Sequence, residues 1–163
     1  MTTFYCTARI AKSLKVDLLP AINPDPNRSW FLTDFRFRRK RIFVAVHIPT
    51  LFSVSVMDVK NPRDILPSLE EQLDDFLDFY GIKHFSTKDI FNLNLPEFSK
   101  TKDRRIISTV NRLVFYMKAK IAWDYDTEDI WFLSDIQKSM HKVIFSMTGY
   151  EYPLERFVKI LND

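Results

Sequence analysis

The chain has 163 residues, 46% of them hydrophobic, with two glycines, a single cysteine and a net charge of +3. That is enough chain for one ordinary domain with a core of its own, without disulfides or a structural metal. With glycine only at 81 and 149 there is no phosphate-cradling loop, dinucleotide fingerprint or G-x-S-x-G elbow, so enzymes built on those motifs are excluded and no cofactor is implied.

Taken in order, the β-branched and aromatic run Thr2 to Thr7 predicts a strand. Ala8 to Val16 follows as a short amphipathic helix carrying Arg9, Lys12 and Lys15, and three prolines in the next ten residues demand an irregular loop. The N-terminus lacks the apolar region of a signal peptide and no run approaches a membrane span, so the expectation is a cytoplasmic protein without membrane contact. One cysteine suits a reducing compartment.

The stretch from Ser29 to Lys60 reads as a three-stranded meander. If Arg39 and Lys40 form the first turn, Arg38 pairs with Arg41, Phe37 with Ile42, Phe35 with Val44, Thr33 with Val46 and Phe31 with Ile48. One face is then apolar and faces the core. The other is mixed and basic, with Trp30, Leu32, Asp34, Arg36 and Arg38 opposite Arg41, Phe43, Ala45 and His47. A three-residue loop before the third strand, Leu51 to Val59, is preferred and puts Phe52, Val54 and Val56 on the core side. A two-residue loop puts them on the mixed side and gives a sheet covered on both faces, which stays open.

Asp64 is placed to cap a helix that runs to Tyr80 and stops at Gly81, with an apolar stripe through Leu69, Leu73 and Phe76 and five carboxylates around it. Those acids lack a partner histidine and read as a solvated face. A short helix follows Ser86 and ends at Pro96, and the polar stretch EFSKTKD leads into a basic helix over 103–123. The segment DYDTED is read as a loop and cap before a helix from about Glu128 to Met147, and a last helix starts at Pro153. The fold class expected is α+β, a single domain over 1–163, with a small antiparallel sheet (the N-terminal strand and the meander at 30–59) against four to five helices.

Charge alternates in blocks along the chain: ten Lys/Arg against four Asp/Glu up to residue 60, three against eight over 61–98, seven against one over 99–123, and four against eight thereafter. The preferred explanation sets the basic helix beside the acidic one. The sharper explanation is a composite positive surface. Its candidate binding residues are Arg36, Arg38, Arg39, Lys40 and Arg41 of the hairpin, joined by Arg104, Arg105 and Arg112 of the basic helix, with Trp30, Phe43, Tyr116 or Trp123 as stacking rings. Cys6 with His47, His84 or His141 as base is the one nucleophilic arrangement available, and inert packing is the stronger reading. No histidines stand at metal-ligand spacing.

Five stretches taken together, FYCTARIAKSL, RRKRIFVAV, TLFSV, TKDRRIISTVNRL and TGYEYPLERFVKIL, resemble an uncharacterised bacterial family catalogued only as a domain of unknown function. Its relatives read KTxNRSVLGSMNDL in the helix region. Thr101, Arg104 and Asn111 fit that pattern, whereas Ser108 stands in place of its glycine and Arg112 in place of its aspartate. The resemblance implies one domain and a bacterial or mobile-element context, and no mechanism. The expected function is therefore recognition of another macromolecule without catalysis, a protein partner first, in a setting such as toxin–antitoxin, plasmid or phage defence. The alternative is a nucleic-acid binder, or nuclease, using hairpin 36–41 and helix 101–121. A third is an enzyme with Thr101, Arg104 and Asn111 as a polar site.

Overall fold

A computed structural model describes residues 1–21, 23–101, 103–124 and 133–162. Five strands form one mixed sheet, β1 (Thr2–Cys6), β2 (Ser29–Phe37), β3 (Lys40–His47), β4 (Ser53–Met57) and β5 (Pro96–Ser99), in the order β4-β3-β2-β1-β5. The meander β2-β3-β4 is antiparallel, while β1 runs parallel to both of its neighbours. The helices are α1 (Ala8–Leu14), α2 (Ile65–Phe79), α3 (Thr87–Ile90), α4 (Arg104–Asp124), α5 (Leu133–Met140) and α6 (Pro153–Asn162), so the class is α+β as expected. The sheet departs from the purely antiparallel one expected because β1 joins β2 in parallel, and β5, which runs into what the sequence shows as a polar stretch, adds a second parallel pairing on the other side of β1.

The hairpin turn is Arg38-Arg39 and not Arg39-Lys40. Phe37 pairs with Lys40, Arg36 with Arg41, Phe35 with Ile42 and Phe31 with Val46. Arg38 takes φ 53°, at a position where two-residue hairpins favour glycine. The register thus slides by two residues relative to the expected pairing. Because side chains alternate with period two, every residue keeps its expected face.

Both faces are covered. Phe31, Phe35, Ile42, Val44 and Val46 pack under α4 and α5. Trp30, Leu32, Phe43 and Ala45 join Phe4 and Cys6 under α1, α2, α3 and α6. The expectation of a solvated mixed face is corrected, and so is the preference for the third strand: Val54 pairs with Ala45 and Val56 with Phe43, on the side of Trp30. Phe52 precedes β4 and stacks between His141 at 4.0 Å and Phe157 at 4.2 Å, which ties α6 and the end of α5 to the sheet.

Helix boundaries follow local chemistry. Thr7 caps α1, its hydroxyl accepting the Ile10 N–H at 3.4 Å, and Gly81 at φ 69° lets the chain leave α2 after Phe79. Ser86 and Asp89 form a capping box, yet α3 is only four residues long, shorter than the expected TKDIFNLNL. The helix expected to reach Met147 ends at Met140, and its expected start at Glu128, with the DYDTED cap, lies outside the described residues apart from Asp124. No helix among the described residues is long and apolar enough to cross a membrane.

Candidate recognition surface

Helix α4 buries Val110, Leu113, Met117 and Ile121 against the sheet, a stripe at spacings of three and four. At 100° per residue the opposite side must carry Arg105, Ser108, Arg112, Tyr116 and Trp123. Arg104, Arg105 and Arg112 line one cleft of about 600 Å³ with Ser108, Thr109, Ser146 and Met147. Among the described residues no carboxylate pairs with these three arginines. Beyond the cleft the helix exposes Phe115 (66%), Tyr116 (42%) and Trp123 (88%), unusually bare rings for a surface helix.

The acidic helix does not neutralise this face. Helix α2 packs on the Trp30 side of the sheet and α4 on the Phe31 side, so the preferred explanation for the charge blocks, adjacent acidic and basic helices, is overturned. On α2 the carboxyls of Glu70 and Asp74 lie above their usual range. Partial burial raises them first, and the neighbouring carboxylates add to it.

The five hairpin cations divide. Lys40 bonds Asp58 at 2.8 Å, and Arg38 lies over the Phe37 ring at 5.5 Å. Arg41 reaches Asp34 at 2.7 Å and lies 4.4 Å from the Phe43 centroid. Arg36 and Arg41 line a separate groove of about 870 Å³, where the sheet edge meets α1 and α4, with Arg9, Asp34, Asn111 and Lys118. Burial would raise the Asp34 carboxyl, but the guanidinium groups of Arg9 and Arg41 outweigh it and hold it below the ordinary carboxylate range. Arg39 is exposed at the turn. Trp30 and Phe43 are both buried, and the Trp30 indole N–H donates to the Ile90 carbonyl at 2.8 Å, so neither ring is available to stack on a base.

The polar triad suggested by the family pattern is dispersed. Thr101 lines a cleft of about 600 Å³ with Tyr5, Pro20 and Ser99, its hydroxyl accepting the Asp103 N–H; Arg104 faces the arginine cleft and Asn111 the groove. Three residues opening on three cavities do not form one reaction site. Cys6 is equally unsuited to attack: it is buried and desolvation pushes its thiol up to about 11. Burial pulls His47 and His141 down to about 4, and both ring nitrogens of each are engaged. His47 donates from Nε2 to the Asn27 carbonyl and accepts the Thr50 hydroxyl at Nδ1; His141 donates to the Ser53 carbonyl and accepts from Tyr80. Among the described residues no three His, Cys, Asp or Glu side chains are grouped to hold a metal ion.

The sequence places Arg9 on the first helix and Asp34 on the mixed face of the meander, but it gives neither as a candidate site residue and does not pair them. The signal was available in part, since Arg9 follows Thr7, the N-cap of α1, by two residues, but its partner lies across a parallel pairing that periodicity does not reveal. A search of curated proteins gives no match. The profile of DUF6933, a domain of unknown function, matches residues 3–156, nearly the whole chain, a span that holds four of the five resembling stretches and the first part of the fifth. The chain therefore belongs to the DUF6933 family.

Proposed function

We propose that this protein recognises another protein without altering it chemically, using the solvent side of α4. The observation that supports this reading is the combination on one helix face of three arginines that pair with no carboxylate among the described residues and the exposed rings of Phe115, Tyr116 and Trp123. Aromatic residues, arginine and methionine are the side chains enriched at the energetic centres of protein interfaces, because they bury large area at low entropic cost and bond bidentately. Met147 beside the arginines fits that composition. The toxin–antitoxin, plasmid or phage-defence setting implied by the family resemblance is a natural place for such a protein.

The test is site-specific photo-cross-linking in the native host, with a benzophenone side chain at position 116 on α4 and, as a control, at position 75 on α2. A discrete protein adduct at 116, missing at 75 and lost in Arg105→Ala/Arg112→Ala, is the expected result. Equal adducts at both positions would remove α4 from the interaction.

The same three arginines favour a second reading, in which the partner is a nucleic acid and Tyr116 or Trp123 stacks on its bases. Three phosphate contacts give a log–log salt slope of about −3 on duplex DNA. Retention of labelled DNA or RNA with that slope, removed by the arginine variant, would establish this reading in place of the first; no retention at low salt would end it.

A further inference from the structure

The groove beside Arg36 has a second property that is independent of the α4 arginines. The Ser29 carbonyl accepts the Ile48 N–H on the β3 side. Main-chain groups alternate sides along a strand, so the odd-numbered residues of β2 address β3 and the even-numbered ones, Trp30, Leu32, Asp34 and Arg36, address the opposite edge. Trp30 and Leu32 meet β1 there. Strand β1 stops at Cys6, the partner of Leu32, and the chain turns into α1, leaving the amide and carbonyl groups of Asp34 and Arg36 facing the groove. Among the described residues no other main-chain group bonds them.

The groove is walled on two sides. Its floor is this half-strand of open edge. One wall is α1 with Arg9; the other is α4 with Ile107, Val114 and Lys118. Four cations, Arg9, Arg36, Arg41 and Lys118, line it against one carboxylate, Asp34. A segment lying in the lane that β1 vacates would send alternate side chains to the two sheet faces: one set toward Arg9, Arg36 and Arg41, the other toward Phe35, Ile107 and Val114.

We propose that this slot takes an extended segment of a partner protein by strand addition, a segment in which acidic and apolar side chains alternate. Edge pairing supplies main-chain hydrogen bonds, and the walls select the side chains. A second copy of this chain is disfavoured by charge, because edge-to-edge pairing would set the same four cations against each other. A nucleic acid would satisfy the cations but has no main-chain complement for the open edge. The slot does not use Arg104, Arg105 or Arg112, so this proposal and the α4 reading can fail separately.

The test uses the full chain and four fluorescent nine-residue capped peptides: alternating Glu-Val, alternating Lys-Val, and the Glu-Val peptide N-methylated at its odd or its even residues. The Glu-Val peptide is expected to bind and to slow amide exchange at Asp34 or Arg36 at least tenfold, while the Lys-Val peptide does not bind. N-methylation at one parity should weaken binding at least tenfold and at the other parity much less, since only alternate residues pair with β2. Arg36→Glu, an exposed position, should weaken it at least tenfold with unchanged circular dichroism, whereas Arg105→Ala/Arg112→Ala should leave it intact. No binding at peptide concentrations up to about 1 mM overturns the proposal. So does equal loss at both parities, or loss in the α4 variant. Binding of oligo(dT) with the same dependence on Arg36 would assign the groove to nucleic acid instead.

Discussion

Two buried histidines make this fold sensitive to mild acid. Burial holds His47 and His141 near 4 in the folded protein, against about 6.5 for an unperturbed histidine. Below pH 6.5 the unfolded chain takes up protons that the folded one refuses, so stability is complete above that value and falls as the pH drops toward 4. The loss amounts to about 3 kcal/mol per histidine across that window. Asp34 acts in the same sense at lower pH: its folded value is depressed, so its contribution is present above the ordinary carboxylate range and is lost as acid reaches it. Urea titrations at pH 7, 5.5 and 4.5 should show a steep decline, and His141→Gln should lower stability at pH 7 while shrinking the decline by about half. A wild-type stability that is flat over this range would contradict the burial of both rings. At this scale sequence was a poor guide: a histidine on an alternating strand reads as half-solvated, and only the helices above it reveal that it is enclosed.

Elements were legible in proportion to their length and to the locality of their contacts. Helix α4 repeats its apolar stripe for 21 residues and was readable almost to the residue. The faces of the meander were readable too, even with the turn misplaced, because a slide of two residues preserves parity. What misplaced the turn was the missing glycine: nothing in RRKR says that Arg38 accepts a positive φ. Strand β5 was illegible for a different reason. Its four residues begin with proline and gain strand character only by pairing with β1, some ninety residues earlier, a contact that no local pattern encodes. The end of α5 was overextended because Val143 and Ile144 continue the helical spacing, although the chain turns after Met140 to bring His141 onto Phe52. That element also carries a buried polar clasp, in which the Gln137 side chain bonds both Ser53 and Ser55 of β4. Gln137→Ala leaves two buried hydroxyls without partners and opens space beneath α5, so it should cost about 3 kcal/mol in chemical denaturation. A loss under about 1 kcal/mol would mean that the clasp is solvated.

Across the whole molecule the sheet works as a spacer between charges of opposite sign. The carboxylates of α2 lie over one face and the arginines of α4 over the other, with helix–sheet layers of about 10 Å on each side placing the two helices about 20 Å apart. The Debye length is about 8 Å at 0.15 M ionic strength and about 30 Å at 0.01 M. At physiological salt an anionic partner on α4 is therefore blind to α2, and at low salt it is repelled by it. Neutralising α2 with Glu70→Gln/Asp74→Asn should change the affinity of such a partner, or of heparin used as a surrogate polyanion, by less than about twofold at 0.15 M and strengthen it severalfold at 0.01 M. Arg105→Ala/Arg112→Ala should weaken it at both. If the α2 variant mattered as much as the α4 variant at 0.15 M, the partner would have to touch both helices, wrapping around the edge of the sheet instead of resting on one face.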